Sequence, residues 1–155
     1  MKEKITVPLK IIAAAVEEAD ENWNHYLDIE KMEVIMLPGE DNICGIEEEE
    51  QEMYDLIEEG WNTRFFGLPS KFDIHEYSIM ERFIWSFPEG KMQDDLENAI
   101  RGRGAFRRFK DKCYDYGIIH DWYNYQAEAY RKIAIEWCDA HDFEYTDDIK
   151  FDAEK

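Results

Sequence analysis

Several features are scarce in this 155-residue chain, and each scarcity excludes a class of protein. Three cysteines stand at wide spacing without a CxxC pair, so we expect reduced thiols rather than a disulfide framework. The longest apolar run, Ile11–Val16, is far shorter than the ~20 residues that span a bilayer. The N-terminal MKEKITVPLK lacks the long apolar core of a secretory signal. We therefore expect a cytoplasmic protein that does not bind membranes.

Basic residues are also scarce, with 18 Lys and Arg against 37 Asp and Glu and a net charge of −19. Charge of this sign disfavours general binding to nucleic acid or anionic membranes and favours a basic partner. The imbalance is concentrated in residues 1–60, which hold 18 acidic and 4 basic residues and a net charge of −14. Residues 61–155 have a net charge of only −5.

Apolar residues, by contrast, are plentiful, because 45% of the chain is hydrophobic and 15% is aromatic. A chain of this length buries most of its apolar surface without disulfides or metals. No repeat or Ser/Pro/Gly-rich linker divides it, so residues 1–155 are predicted to form a single domain. Its parts are an acidic helix–hairpin–helix stretch over 1–60, a helical stretch over 61–145 and a tail over 146–155.

Apolar periodicity predicts helices over about residues 8–20, 47–60, 73–88, 89–101, 105–116 and 121–140. Two short runs, Trp23–Ile29 and Met32–Leu37, predict a β-hairpin with a two-residue connection. Residues 38–46 are predicted to be a polar loop, and residues 61–72 irregular or briefly extended. The fold class that follows is α+β, a mostly α-helical domain with a small N-terminal antiparallel β-hairpin or sheet.

Two helix starts carry specific signals. Asp73 followed by Glu76 resembles a capping box, which predicts that a helix begins there. The run EEEEQEMYDLIEEG opens at Glu47 with acidic residues, which are favoured in the first turn of a helix. We interpret this run either as a solvated helix face or as an acidic docking surface.

The basic segment Gly102–Lys112, GRGAFRRFKDK, is the most function-like feature of the chain. Arg101–Lys112 holds six basic residues against Asp111 alone. Glycines at a helix junction adopt positive φ, and the next helix directs its unpaired N–H groups toward the turn. Arginines beside such a helix start form an anion site. The candidate anion- or partner-binding residues are Arg101, Arg103, Gly104, Arg107, Arg108 and Lys110.

A structural role competes with this interpretation. Arg107 and Arg108 stand at ion-pair spacing from Asp111, and Lys112 from Asp115. The segment has no GKS or GKT, and its GxG follows a predicted helix rather than a strand, so it is neither a P-loop nor a dinucleotide fingerprint. An apolar stripe recurs at helical spacing and predicts the buried face of the helix: Phe106, Phe109, Cys113 and Tyr116.

The string GRGAFRRFKD, with Trp122-Tyr123 shortly after it, resembles the signature of an uncharacterised bacterial protein family, number 158 of the UPF series. Tyr77-x-x-Met80-Glu81-x-Phe83-Ile84 and the hairpin string Tyr26-Leu27-Asp28 resemble that family as well. The resemblance implies a small bacterial cytosolic protein of unassigned activity, and it carries over no catalytic residues. It also implies that six positions belong to the family pattern: Gly102, Gly104, Phe106, Arg107, Arg108 and Phe109.

Other chemistry has little support in the sequence. Cys138 and His141 lie at i, i+3 on one predicted helix and could ligate zinc, but another segment would have to supply the remaining ligands. His120 cannot do so, because helical rise places it some 30 Å away. We therefore predict no cofactor, no metal site and no catalytic residues.

Three hypotheses follow. The first is a non-enzymatic binding or regulatory protein that acts through protein contacts, with its acidic half facing a basic protein partner. The second is binding of a phosphate-bearing ligand, a nucleotide or a nucleic-acid backbone at the basic segment. The third and most distant is a metal-dependent or thiol enzyme. Nothing in the sequence specifies an oligomeric state.

Overall fold

The computed structural model describes residues 5–20, 22–38 and 47–149, except for the side chain of Phe72. Most of the loop predicted over residues 38–46 lies outside the described residues, and so does Cys44. The last residues of the predicted tail, 150–155, lie outside them as well.

The described residues form two compact units. The first contains the residues up to Ile74 together with Tyr130–Ile149, and the second contains His75–Ala129. The division into two compact units does not test independent folding, so the prediction of a single domain stays a prediction.

The first unit contains strands β1 (Thr6–Pro8), β2 (Trp23–Asp28), β3 (Glu33–Pro38), β4 (Phe65–Gly67) and β5 (Glu144–Thr146), and helices α1 (Leu9–Glu17), α2 (Glu48–Glu59) and α3 (Lys71–Ile74). The second unit contains α4 (Glu76–Trp85), α5 (Lys91–Ala99) and α6 (Ala105–Asp115). Helix α7 (Ile119–Ala140) belongs to the second unit through Ala129 and to the first from Tyr130. The predicted α+β fold class is confirmed.

The N-terminal sheet has three antiparallel strands in the order β3-β2-β4. Tyr26 pairs with Ile35 of β3 on one side and with Gly67 of β4 on the other. The third strand comes from the stretch predicted to be irregular or briefly extended. A second, two-stranded sheet joins β1 to β5 in parallel, with Val7 opposite Tyr145.

The hairpin connection has four residues, Ile29–Met32, instead of the two predicted. A side chain at the end of β2 replaces the usual Asn-Gly chemistry. The Asp28 carboxylate accepts hydrogen bonds from the backbone N–H groups of Glu30 at 3.0 Å and Lys31 at 3.4 Å. Met32 closes the turn with a φ of 54°.

Helix α2 covers one face of the three-stranded sheet. Its residue Ile57 packs with Leu37 of β3 and Phe65 of β4 in a buried cluster. Partly buried side chains surround this cluster: Tyr26, Ile35, Met53 and Tyr54. The Tyr54 hydroxyl donates to the carbonyl of Pro38 on β3, and the carbonyl of Gly60, just after α2, accepts from Phe65 on β4. The middle of α2 therefore lies beside the end of β3, and the end of α2 lies beside β4.

The end of α7 packs with β4. The Trp137 indole donates to the Gly67 carbonyl at 2.8 Å. The Phe66 ring meets the rings of His141 and Phe143 edge to face, with centroids 5.5 and 4.9 Å apart. These contacts fix the C-terminal segment on the first unit.

The second unit is built around an aromatic core. The Phe83 ring of α4 lies 6.0 Å from Phe109 of α6 and 5.4 Å from Trp122 of α7. Phe109 and Trp122 meet edge to face at 4.8 Å, and both are buried. Two hydrogen bonds to backbone reinforce this packing, from the Tyr77 hydroxyl to Ile100 and from the Gln93 amide to Ile84.

The capping-box prediction at Asp73 is wrong by one turn. The reciprocal pair is Ser70 and Asp73: the Ser70 hydroxyl accepts from the Asp73 N–H at 3.2 Å, and the Asp73 carboxylate accepts from the Ser70 N–H at 3.1 Å. It caps α3, and His75, with a φ of 56°, separates α3 from α4. The capping pair stands one turn earlier than predicted because a short extra helix, α3, precedes α4.

Candidate functional site

The basic segment lies where α5 ends and α6 begins. Gly102 and Gly104 both have positive φ, 75° and 74°, which reverses the chain direction between the two helices. Gly104 is the N-cap residue of α6. These backbone angles confirm the predicted glycine-mediated helix junction.

Arg108 is the residue that closes this junction. Its Nε donates to the carbonyl of Ala99, the last residue of α5, at 3.0 Å. Its two terminal nitrogens donate to the carbonyls of Arg101 and Arg103. A Cβ at Gly104 would stand 3.1 Å from the Arg108 Nη1, so the glycine also makes room for the guanidinium. Arg108 therefore satisfies helix-end and turn carbonyls that would otherwise lack donors.

The remaining basic candidates have different surroundings. Arg101, Arg103, Arg107 and Lys110 are exposed, and none forms an ion pair within the described residues. The Lys110 ammonium lies 5.8 Å above the ring of Tyr123. The ion pairs predicted with Asp111 and Asp115 are absent from the described parts of the chain. All five of these side chains are exposed, and Arg108 differs from the other four because it donates to backbone carbonyls of the junction.

The buried face of α6 is shifted from the predicted stripe. Phe109 and Cys113 are buried as predicted, but Phe106 is 48% exposed. Ala105 takes the buried position in the first turn, because it stands four residues before Phe109 on the same helix face. Phe106 therefore adds an apolar ring to the solvent-facing arginines.

A charged network connects α5 to the C-terminal end of α6. The Tyr116 hydroxyl donates to the Asp95 carboxylate, which also pairs with Lys91 at 2.8 Å. Hydrogen bonds from Lys91 and Tyr116 lower the pKa of Asp95. The bond to Asp95 raises the pKa of the Tyr116 phenol. Asp95, Asn98, Ala99, Arg108, Asp111 and Lys112 line an open pocket of about 370 Å³.

The second candidate surface is the acidic helix α2. Glu47 and Glu50 form a capping box at its start, in which each side chain accepts from the backbone of the other residue. Six carboxylates along the helix are exposed: Glu48, Glu49, Glu52, Asp55, Glu58 and Glu59. None of them forms an ion pair within residues 5–20, 22–38 and 47–149. Leu56, which is 40% exposed, lies among them.

The ion pair between the buried Asp28 and the partly exposed Arg64 was not predicted from the sequence. The Arg64 guanidinium binds the Asp28 carboxylate with two hydrogen bonds, of 3.1 Å and 2.9 Å. Asp28 is 2% exposed, and its hydrogen bond with Arg64 is the main cause of its lowered pKa. The two residues are 36 positions apart, and only the unpredicted pairing of β2 with β4 brings them together. A lone Asp at a hairpin end gave no local signal for this contact.

The described cysteines, Cys113 and Cys138, are both buried. Burial raises the pKa of the Cys113 thiol to about 12 and that of Cys138 to about 11, so both are protonated at neutral pH. The His141 Nδ1 donates to the Trp137 carbonyl at 2.8 Å, one turn earlier on α7. Burial lowers the pKa of His25, which keeps this imidazole neutral. Among the described residues, no three Cys, His, Asp or Glu side chains lie close enough together to hold a metal ion.

Helix length and hydropathy decide whether a helix can span a membrane. Within the part of the chain that the structure describes, no helix combines the length and the apolar character that a membrane span requires.

Comparison with known proteins identifies the family of the chain and one relative. The sequence model of the uncharacterised protein family UPF0158 matches residues 3–155. The chain belongs to UPF0158. A UPF0158 protein from Pseudomonas aeruginosa is 28% identical over 125 residues, which cover 78% of this chain and 74% of that protein. No solved structure matches the chain.

The strings that carried the resemblance to UPF0158 lie mostly at structural positions. Asp28 binds Arg64 and the hairpin turn, and Arg108 closes the α5–α6 junction. Phe83 and Trp122 belong to the aromatic core of the second unit. In this UPF0158 chain, the exceptions include Arg103, Phe106 and Arg107, which are exposed, and neither arginine forms an ion pair with a described residue.

Proposed function

We propose that this UPF0158 protein is a non-enzymatic binding or regulatory protein that acts through protein contacts, with α2 facing a basic partner. One observation carries the proposal. The exposed carboxylates of α2 surround the half-exposed Leu56 and have no cation of the described chain beside them. A partner that supplies lysines or arginines would complete this surface.

The charge pattern of α2 weakens the helix in isolation. Glu48 and Glu52, and likewise Asp55 and Glu59, stand at i, i+4, where each like-charge pair costs about 0.2–0.5 kcal/mol. The apolar contacts of Ile57 hold the helix on the sheet in spite of this repulsion. A surface whose like-charge pairs lower the stability of its own helix is typical of a functional site. Rim charges of one sign speed the encounter with an oppositely charged partner and select against like-charged ones.

The proposal is tested by neutralising the surface. The α2 variant carries Glu48→Gln, Glu49→Gln, Glu52→Gln and Asp55→Asn. Immobilised full-length protein is used to capture partners from a bacterial lysate at low and at high salt, and captured proteins are identified by mass spectrometry. We expect the wild type to retain a basic protein in a salt-sensitive manner and the α2 variant to lose it. The variant should remain folded, since the apolar contacts of Ile57 that hold α2 on the sheet are unchanged.

A matched control separates local from global charge. It makes the same change in net charge at exposed acids outside α2: Glu89→Gln, Asp94→Asn, Glu136→Gln and Asp139→Asn. We expect this control to retain the partner as the wild type does. Equal capture by the α2 variant, or equal loss in both variants, would contradict a docking role for α2.

The basic segment supports a second candidate function, binding of a phosphate-bearing ligand. Arg103 and Arg107 are exposed beside the start of α6, and Phe106 places an apolar ring next to them. Guanidinium groups at a helix start match the geometry of a phosphate. The candidate does not depend on Arg108, since three of its five N–H donors are used on backbone carbonyls.

The test of this candidate uses inorganic phosphate and ATP as probes. Isothermal titration calorimetry on the wild type should show binding that weakens with salt, and Arg103→Ala/Arg107→Ala should abolish it. Thermal unfolding of the double variant should match the wild type, because neither side chain has a partner among the described residues. If the double variant binds either probe as the wild type does, the candidate is wrong.

A further inference from the structure

Strand β3 offers an edge on the side away from β2. Within the described residues, β2 is the only strand that pairs with β3. The pairing is continuous from Glu33 to Pro38, without a bulge. Glu33 and Pro38 stand at its ends, and the four residues between them are apolar. Native edges are usually blunted by lysines, bulges or an internal proline, and β3 has none of these.

We propose that β3 accepts an extended segment of a basic partner protein as an added strand, which specifies how the docking proposed above for α2 takes place. Alternate residues of an edge strand direct their N–H and C=O groups away from the sheet. A segment aligned on these groups gains main-chain hydrogen bonds, and its alternate side chains provide specificity. The inference takes the basic charge of the partner from the function proposed above, and it rests on that function in this respect.

The neighbours of β3 define the side chains that this segment carries. On one face of the sheet, the middle of α2 lies beside β3, as the hydrogen bond from Tyr54 to the Pro38 carbonyl and the packing of Ile57 with Leu37 show. Side chains of an added strand on that face lie on the side of the sheet that carries the carboxylates of α2. On the other face, Met36 is 44% exposed. The partner segment therefore alternates basic residues, which face α2, with apolar residues, which face Met36.

Charge decides against a second copy of the chain as the occupant. An edge strand of this kind also pairs with its own copy around a two-fold axis. Such a pairing would bring together two acidic halves, each with a net charge of −14 over residues 1–60. Like charge that faces like charge disfavours the pairing, whereas a basic segment is attracted.

The test uses full-length protein and fluorescein-labelled peptides. The probe alternates lysine and valine, and a second peptide has the same composition with its lysines and valines in separate blocks. A third peptide keeps the alternating sequence but is N-methylated at every second residue, which removes main-chain donors without a change in charge. Fluorescence anisotropy at low and high salt measures each affinity. Met36→Lys is compared with Ala140→Lys, which adds the same charge, and the α2 variant is compared with the four-acid control described above.

We expect the alternating peptide to bind the wild type in a salt-sensitive manner. Its affinity for the wild type should be about ten-fold higher than that of the blocked or the N-methylated peptide, and about ten-fold higher than its own affinity for Met36→Lys. Equal binding of the N-methylated peptide would overturn strand addition while leaving a charge-based role for α2 in place. Loss of binding in Met36→Lys but not in the α2 variant would support the β3 edge and count against the proposed function. Self-association in gel filtration that Met36→Lys abolishes would show that a second copy occupies the edge, and would overturn the choice of partner.

Discussion

Replacement of Asp28 by asparagine is expected to lower the free energy of unfolding by about 2 kcal/mol. A hydrogen bond to a charged group contributes about 1.5–3 kcal/mol, and Asp28 accepts two from Arg64. The lower part of that range applies because the Arg64 side chain is 26% exposed and water screens the pair. Asparagine keeps the shape of the side chain and can still accept from the hairpin turn, but it loses the charge. Urea unfolding monitored by circular dichroism measures the difference.

The control for this prediction is Glu30→Gln. Glu30 also approaches Arg64, at 3.7 Å, but its side chain is 66% exposed. Exposed pairs contribute little, so this variant should unfold as the wild type does. An equal loss of stability in both variants would contradict the assignment of the stabilising contact to Asp28.

The same contact gives a pH dependence of defined sign. The pKa of Asp28 is lower in the folded protein than in the unfolded chain, mainly through the hydrogen bond with Arg64. Its contribution to stability is therefore complete above the unfolded value of about 3.9 and is lost as the pH falls through the folded pKa. The difference in unfolding free energy between the wild type and Asp28→Asn should shrink as the pH falls below about 4. A difference that stayed constant down to low pH would show that the charge is not responsible.

Replacement of Arg108 by alanine is expected to cost about 2 kcal/mol, whereas replacement of its neighbour Arg107 should change the stability by less than about 0.5 kcal/mol. Arg108 donates to three backbone carbonyls at the α5–α6 junction, and Arg107 has no partner among the described residues. The two variants remove the same charge from adjacent positions, so each controls for the other. Thermal and urea unfolding compare them directly.

A third variant, Arg108→Lys, tests the mechanism rather than the charge. An ammonium group cannot reproduce the planar fork that reaches three separate carbonyls. This variant should therefore lose nearly as much stability as Arg108→Ala. Full stability in Arg108→Lys would show that charge, and not the hydrogen bonds to the junction, is what matters at this position.

The sequence predicted local features of the fold well and tertiary ones poorly. The 3.6-residue periodicity located α4, α6 and α7, because each has a continuous apolar face against a core. The period-two runs located β2 and β3 for the same reason. Strand β4 has only three residues, too few to show a period, and its pairing with β2 depends on contacts far along the chain.

The basic segment shows the same limit on a smaller scale. Its glycines and its helix start were predictable from local backbone chemistry. The different contacts of Arg107 and Arg108 were not predictable, because they depend on which side of α6 faces the end of α5. The predicted burial of Phe106 failed for a related reason, since Ala105 fits the buried position of the first turn.

The pairing of β1 with β5 has a consequence for synthesis of the protein on the ribosome. Thr6 lies opposite Glu144, so this parallel ladder joins segments from the two ends of the described chain. Among the described residues, the first unit is therefore discontinuous in sequence, whereas the second, His75–Ala129, is one uninterrupted stretch. Contacts among His75–Ala129 can form while the rest of α7 is still emerging from the ribosome. The ladder must wait until residue 146 has left the exit tunnel, so β1 stays without its partner strand while His75–Ala129 is being synthesised.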